Sequence, residues 1–562
     1  AAKHGWRRAG LCVHFPRLLG KSKGFCMSQI DGDIESESLP DEALSPAEQR
    51  FELWRRRAGV VLTPVAFALT YWLCDGLSAE GRKLASILAS VGVLWMSEVI
   101  PLPVTALVGA ILCVVLGVAP AKTVLQYFAD PIVFVFIGGF ILARAMTIHR
   151  LDRRIALAFL SIRWIGRHPA TMLGGLGLVT AILSMWVSNT ATTAMMLPIA
   201  LGVLGALHQV RVSEGLAKGP MNPRNWPYAT GMMLMIAYAA SIGGIGTPVG
   251  SPPNLIGIGL IRRTAGFEIS FFKWMALCIP LFVVMGAFLL VLLWWLHPAK
   301  EETTGKSGRG LGAGMLQYIT REYDRLGGWT WGQTNTLIAF GIAVFLWVLP
   351  GVLALPIWGG GELAQDAAML GKWMSAHLPE SVVALIAAVL LFMLPVNLPE
   401  GRFTLTWADA VKIDWGTILL FGGGLSLGTL MFDTGVAAAM GNAVTRQIGA
   451  SDVWTLTAVS IVIAIFLSET TSNTASANMI IPVVIALAQT AGVSPIPPAL
   501  GACLGASYGF MLPVSTPPNA IAYGSGLVPI ARMMRAGILF DIFGAILIFV
   551  GLRILCPALG LI

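Results

Sequence analysis

Charge is what this sequence has least of. Asp, Glu, Lys and Arg make up 12% of the 562 residues against 56% apolar side chains, and the mean hydropathy is +0.76. A soluble globular domain carries roughly a quarter charged residues, so that class is excluded. Cysteine is also scarce, seven in all, and no C-x-x-C pair occurs. Five of them (Cys74, Cys113, Cys278, Cys503 and Cys556) fall in or at the ends of apolar runs. A disulfide framework or cysteine metal cluster is thereby excluded, and small buried hydrophobes are left. The seven histidines do not cluster. No H-E-x-x-H, no P-loop and no G-x-G-x-x-G after a strand is present, which removes ATP-driven transport and intramembrane zinc proteolysis from the leading readings. No His is placed to act as base for a nucleophile, so no catalytic residue is assigned and the chain is not read as an enzyme.

What is there is apolar sequence, in runs of about twenty residues that recur along the whole chain. The reading is an all-α polytopic membrane protein of about eleven transmembrane helices plus two re-entrant hairpins. The net charge of +8 is a topological signal and no pointer to nucleic acid, because Lys and Arg near spans orient the chain. Residues 1 to 57 carry ten Lys/Arg, which puts the N-terminus in the cytoplasm of what reads as a bacterial inner membrane protein. Basic clusters follow between His149 and Arg167 and between Lys300 and Arg325. The loops 351 to 380 and 433 to 452, assigned to the far side, hold only Lys372 and Arg446. Arg262, Arg263 and Lys273 break the rule on that side.

The segment 1 to 30 is basic and acid-free, as in a targeting peptide, but it has no apolar h-region and reads rather as extra sequence before a start at Met27. Residues 31 to 48 read as disordered, and Glu48 to Arg57 as a short amphipathic helix on the cytoplasmic surface. Spans are expected near 59 to 74, 83 to 98, 102 to 118, 131 to 148, 274 to 296, 334 to 356, 380 to 397, 415 to 432 and 536 to 556. Two broken regions, 169 to 262 and 453 to 526, interrupt the series, and a hydrophilic linker, 298 to 333, divides the chain.

Those broken regions hold two copies of the same phrases. Ser188-Asn189-Thr190-Ala191 recurs as Ser472-Asn473-Thr474-Ala475, and Gly250-Ser251-Pro252-Pro253-Asn254 as Ser515-Thr516-Pro517-Pro518-Asn519. Phe136-Ile137-Gly138-Gly139 precedes the first as Phe421-Gly422-Gly423-Gly424 precedes the second, at an offset of 285 residues against 284 for Ser-Asn-Thr. Three landmarks in the same order, the first two at near-constant offset and the Pro-Pro-Asn phrases at 265, indicate a duplication. An odd number of spans separates the copies, so the repeats are expected to be inverted across the membrane.

Helix breakers at membrane depth are tolerated where the freed backbone lines a protected cavity. At each Ser-Asn-Thr one short helix ends and another begins, so free carbonyls and free N–H groups meet. Carbonyls, hydroxyls and the Asn amide oxygen suit an alkali cation, while N–H groups and hydroxyls suit an anionic oxygen. Pro252-Pro253 and Pro517-Pro518 are expected to add a second set of free backbone groups opposite each tip. The tip segments contain no Lys or Arg, so an anion held there needs co-bound cations to balance it. A structural reading, in which small polar residues only pack helices closely, suits one such motif better than four paired ones.

Several stretches together resemble the divalent anion/sodium symporter family. They are Ser184-x-x-x-Ser188-Asn189-Thr190-Ala191-Thr192-Thr193-Ala194-Met195-Met196-Leu197-Pro198, the run Gly243-Gly244-x-Gly246-Thr247-Pro248 into Ser251-Pro252-Pro253-Asn254, Met511-Leu512-Pro513-Val514-Ser515-Thr516-Pro517-Pro518-Asn519-Ala520, and Ser97-Glu98-x-Ile100-Pro101-Leu102-Pro103-Val104-Thr105-Ala106-Leu107. The resemblance covers about residue 50 to the C-terminus. It implies one sodium ion at Ser184, Ser188, Asn189 and Gly250 and a second at Ser468, Thr471, Asn473 and Ser515. Substrate carboxylates would be held by Ser188, Asn189, Thr190, Ser472, Asn473 and Thr474, with Ser251, Thr516 and Pro517 nearby. It also implies a homodimer in which a transport domain slides as an elevator against a scaffold. Its division of the chain is 1–57 extension, 58–168 scaffold with arm, 169–297 transport domain, 298–333 linker, 334–452 scaffold with arm and 453–562 transport domain. The amphipathic stretches 149 to 166 and 433 to 449 would be the arms.

The expected function is sodium-coupled import of a small dicarboxylate such as succinate, malate or fumarate. A cation-independent dicarboxylate exchanger, or a sodium symporter for citrate or sulfate, would use the same fold. A proton antiporter would need buried carboxylates at the broken helices, and only Glu469 qualifies. Glu469 either tunes the second tip or points away to cap a helix; Glu98 and Arg144 read as a gate or as a structural pair or helix-end anchor; Asp541 in the last span has no assigned role.

Overall fold

The computed structural model describes residues 46–166, 168–213, 215, 221–222, 226–299, 308–355, 362–448 and 452–562. The readings of residues 1 to 45 lie outside these. The first half runs through α1 (Pro46–Leu73), α2 (Ala79–Ser97), α3 (Leu102–Val115), α4 (Ala121–Leu125) with a 3-10 turn (Gln126–Ala129), α5 (Pro131–Ile148), α6 (Leu151–Leu160), α7 (Pro169–Ser184), α8 (Asn189–Ser213), α9 (Pro227–Gly244), α10 (Pro252–Ala265) and α11 (Phe271–Leu296). The second comprises α12 (Gly308–Asp324), α13 (Trp331–Leu353), α14 (Glu362–His377), α15 (Glu380–Met393), a small hairpin of β1 (Pro395–Asn397) and β2 (Arg402–Phe403), α16 (Trp407–Ala410), α17 (Trp415–Asp433), α18 (Val436–Ile448), α19 (Val453–Thr470), α20 (Asn473–Thr490), α21 (Ile496–Gly505), α22 (Pro517–Gly524) and α23 (Ile530–Ala558).

Among the described residues seven helices are long and apolar enough to cross a membrane, eight if the bent pair Ala364–His377 and Glu380–Met393 counts as one. The expectation of about eleven also counted shorter apolar helices such as α3, while α7, equally short, belongs to the first of the two expected hairpins. Local chemistry sets the helix starts: Asp130 caps α5, accepting from the Ile132 N–H at 3.0 Å with Pro131 at the first position, and Thr330 with Gln333 forms a capping box on α13.

One expectation needs correction. Glu48 to Arg57 is no separate surface helix, because α1 runs unbroken from Pro46 to Leu73. Arg55 is neutralised by Glu52 at 2.9 Å and Glu98 at 3.0 Å, and Gly59 lies flush on Ser97 and Val99, so the polar turn packs instead of peeling away. The same contact gives Glu98 to Arg55 as partner at the C-cap of α2, which is the helix-end anchor and not a pair with Arg144. The linker 298 to 333 contains α12, packed on α6 and α8. Buried Arg154 ties its end down, donating to the carbonyls of Leu326, Gly327 and Gly328 at 3.1, 2.9 and 2.9 Å.

The two halves exchange partners. Helix α5 packs on α15 and α17 on α3, while α10 packs on α20 and α21 and α22 packs on α8 and α9. The Phe-x-Gly-Gly landmarks sit at the first exchange: a Cβ on Gly138 would lie 2.6 Å from the backbone of Ala384, and one on Gly423 would lie 2.6 Å from the Ala106 side chain. Glycine there lets helix backbones touch where no water drives them together. Helix α9 is the hub. All of Tyr228 to Gly244 is buried, as its all-round apolar sequence demands.

Candidate functional site

Each Ser-Asn-Thr marks a helix break. Helix α7 ends at Ser184 and α8 begins at Asn189; α19 ends at Thr470 and α20 begins at Asn473. Across the first gap the Ser184 hydroxyl donates to Asn189 Oδ1 at 2.8 Å. Across the second the Ser468 hydroxyl donates to Asn473 Oδ1 at 2.7 Å. Both serines are fully buried, whereas the Asn-Thr pairs that follow are half-buried and Ser188 is exposed. Ser188 and Ser472 accept from the N–H groups of Ala191 and Ala475, the N-cap arrangement that starts each second helix.

The Pro-Pro-Asn segments close over these tips through one repeated device. Asn254 Nδ2 donates to the carbonyls of Gly244 and Thr247, both at 2.8 Å, and Asn519 Nδ2 donates to Gly509 and Leu512 at 2.8 and 3.0 Å. Each amide bends the preceding segment into a loop. The first loop presses on the first tip: Thr247 donates to the Met185 carbonyl at 2.5 Å. Gly244 meets Asn189 so closely that a Cβ would sit 2.5 Å from Oδ1, and a Cβ on Gly250 would lie 2.6 Å from the Gly244 carbonyl oxygen. Ser184, Asn189 and Gly250 are thus brought together, and Ser468, Asn473 and Ser515 by the equivalent loop, where Gly509 abuts Ser468 and Ser515.

Not every expected residue faces a tip in the same way. Thr471 Oγ1 lies 2.8 Å from Ser476 Oγ and also donates to the Leu467 carbonyl at 3.2 Å. Ser251 and Thr516 enter by position, as N-caps of α10 and α22, and Pro517 is the first residue of α22. The Pro-Pro pairs supply less than expected. Proline has no N–H, so the first turns of α10 and α22 lack two donors each. The N–H groups suited to a carboxylate belong instead to the starts of α8 and α20.

Glu469 distinguishes the two tips. It is buried and turned inward: Oε1 accepts from the Phe510 and Met511 N–H groups at 2.6 and 2.9 Å, and Oε2 from the Ser515 hydroxyl at 2.6 Å. By the repeat its counterpart is Met185, so a carboxylate replaces a thioether. Sequence reading left Asn254, Asn519 and Thr247 out of the site; the Asn at the same place in both Pro-Pro-Asn phrases was the available signal.

Two pairs of interrupted helices, interleaved across a duplication in an apolar helical fold, define a secondary transporter of the broken-helix kind. The chain belongs to the sodium:sulfate symporter family, whose transmembrane-region model matches residues 52–561. Similar proteins include the sodium-dependent dicarboxylate transporter SdcS of Staphylococcus saprophyticus, 31% identical over 504 residues, 89% of this chain and 91% of that one. SdcS of Staphylococcus aureus is 30% identical over 506 residues, with the same coverage. An uncharacterized transporter of Haemophilus influenzae is 33% identical over 464 residues, 82% of this chain and 89% of that one. In fold the chain resembles the YdaH transporter of Alcanivorax borkumensis, with a TM-score of 0.50 at 13% identity over 91% of this chain and 98% of that one. The protein is a transporter and not an enzyme.

Proposed function

We propose that this protein is a sodium-coupled symporter that imports small C4-dicarboxylates such as succinate, malate or fumarate. The observation that carries this reading is the duplicated Ser-to-Asn hydrogen bond across each helix break, with an Asn-clamped loop closed over it. Hydroxyl, amide and carbonyl oxygens gathered in this way are the ligands a sodium ion takes. One sodium ion is assigned to Ser184, Ser188, Asn189 and Gly250, and a second to Ser468, Thr471, Asn473 and Ser515. The carboxylates are assigned to Ser188, Asn189, Thr190, Ser472, Asn473 and Thr474, with Ser251, Thr516 and Pro517 beside them. The sodium ions offset the charge of a dianion that meets no basic side chain in those segments. The names of the Staphylococcus relatives support sodium and dicarboxylate together.

In this reading the repeats are inverted, 169–297 and 453–562 move as the transport domain, and 58–168 and 334–452 form the scaffold of a homodimer with a cytoplasmic N-terminus in the bacterial inner membrane. Helices α6 and α18 would be the arms. Labelled succinate uptake into proteoliposomes should rise steeply with an inward sodium gradient, with more than one sodium ion per substrate. Equal uptake in potassium, or transport by counterflow alone, would favour the exchanger; competition by citrate or sulfate but not by malate would move the substrate.

A further inference from the structure

Asp130 joins two parts of the chain that the elevator reading assigns to different bodies. It is 2% exposed and caps α5, and its two oxygens also hold the last turn of α10. Arg262 reaches Oδ1 at 2.5 Å and Arg263 reaches Oδ2 at 3.2 Å. The Arg263 guanidinium lies 4.9 Å from the centre of the Tyr127 ring, on the turn before the cap. Both cations sit at a helix C-terminus, where the backbone carbonyls favour them.

Helix α10 is the lever on this joint. Its first turn carries the Pro-Pro-Asn clamp over the first tip, and its 14 residues make a rod of about 20 Å that ends near the arginines. Between its ends it meets α5 and α17 through apolar contact: a Cβ on Gly259 would lie 3.3 Å from the Ile132 and Phe421 side chains. Such contact is non-directional and has no bond to break when one helix slides over another. The joint at Asp130 does, because withdrawal of α10 leaves a buried carboxylate without its counter-charge.

The duplication makes this joint one-sided. Asp414, 284 residues after Asp130, is the matching cap of α17, but it is exposed and spends its oxygens on the Thr417 N–H and hydroxyl at 3.0 and 2.6 Å. Helix α22, the counterpart of α10, has 8 residues against 14 and no basic residue in its last turn. Where repeats are inverted, the two halves exchange conformations as the site changes sides. A contact present in one half alone therefore stabilises one of the two states and not the other. We infer that Asp130 with Arg262 and Arg263 is a latch that holds the transport domain in the state seen here and opens in every cycle. The latch rests on the elevator reading above and is independent of which anion and which cation are carried.

Double electron–electron resonance on the full chain in lipid nanodiscs tests this, with spin labels carried by unnatural amino acids at exposed Leu125 of α4 and Val283 of α11. Dilution with unlabelled protein confines the distances to one chain. The wild type should give a major and a minor distance. Asp130→Asn, which keeps the cap but not the charge, should raise the minor population several-fold, and Arg262→Gln with Arg263→Gln should do the same. Asp414→Asn, the matching change without a latch, should leave the wild-type populations. Two distances in unchanged proportion in the Asp130 variant, or an equal shift in the Asp414 variant, would overturn the latch alone. One distance in every variant, with sodium and succinate present or absent, would instead overturn the elevator reading and the latch with it. If Asp130→Asn does not fold, the double arginine variant, changed at part-exposed positions, still decides.

Discussion

Asn254 and Asn519 each spend a whole amide on two backbone carbonyls, and neither residue has any exposed surface. Asn254→Ala would leave the Gly244 and Thr247 carbonyls unpaired, at a cost of about 1–3 kcal/mol. It should lower the thermal midpoint of the purified protein and weaken its sodium dependence, and a wild-type midpoint would show the clamp to be dispensable. Asn189 and Asn473 sit one step nearer the proposed ions. Replacing either with Ala should raise the sodium half-saturation concentration of uptake about tenfold, the equivalent of ~1.4 kcal/mol, and weaken substrate dependence with it. An unchanged sodium response would remove that residue from the site. The repeated Asn was legible in the sequence; its partners, 5 to 10 residues away along the chain, were not, because loop closure at that range has no periodicity to read.

Between elements, close approach decides which residues are interchangeable across the repeat. Gly250 and Ser515 occupy the same place, yet a Cβ on Gly250 would meet the Gly244 and Met185 carbonyl oxygens at 2.6 and 2.8 Å. Those are backbone atoms and cannot swing away. Gly250→Ser is expected to abolish most sodium-dependent uptake while Ser515→Gly retains more of it, and parity between the two variants would refute the tight loop. The basic residues that violated the charge rule have a similar local cause. Arg262 and Arg263, on the last turn of α10, both pair with buried Asp130 at 2.5 and 3.2 Å, so one of their two positive charges is offset at a joint between α10 and the start of α5.

For the molecule as a whole, the reciprocal packing of α10 on α20 and α21 and of α22 on α8 and α9 makes neither broken region complete without the other half. Packing of α11 on α9 buries His297, the cap of α11, against Gly231. Burial, reinforced by Arg532 and Arg535 at the start of α23, pushes its imidazole down to about 4 from an ordinary value of 6.5. Because the folded value is the lower one, no penalty applies at neutral pH. Below about 6.5 the unfolded chain takes up a proton that the folded chain refuses, so stability falls until about pH 4, by about 3 kcal/mol. Thermal unfolding followed from pH 7 to 4 should show this loss, and His297→Gln should reduce it. An identical slope in the variant would mean that other groups carry the acid sensitivity.

Composition and the duplicated phrases by themselves determined the membrane class, the positions of the helix breaks and the two candidate tips. Apolar runs and helix breakers act within one turn or one span, so they are written locally. The tertiary structure decided the rest: the continuity of α1, the folded α12, the partner of Glu98 and the inward turn of Glu469. Each of these depends on which helix lies beside which, and packing between residues far apart in the chain leaves no local signal. The landmark glycines show both sides of that division. Their repetition was visible in the sequence, but only the packed helices give the reason, which is that Gly138 and Gly423 must let the two halves touch.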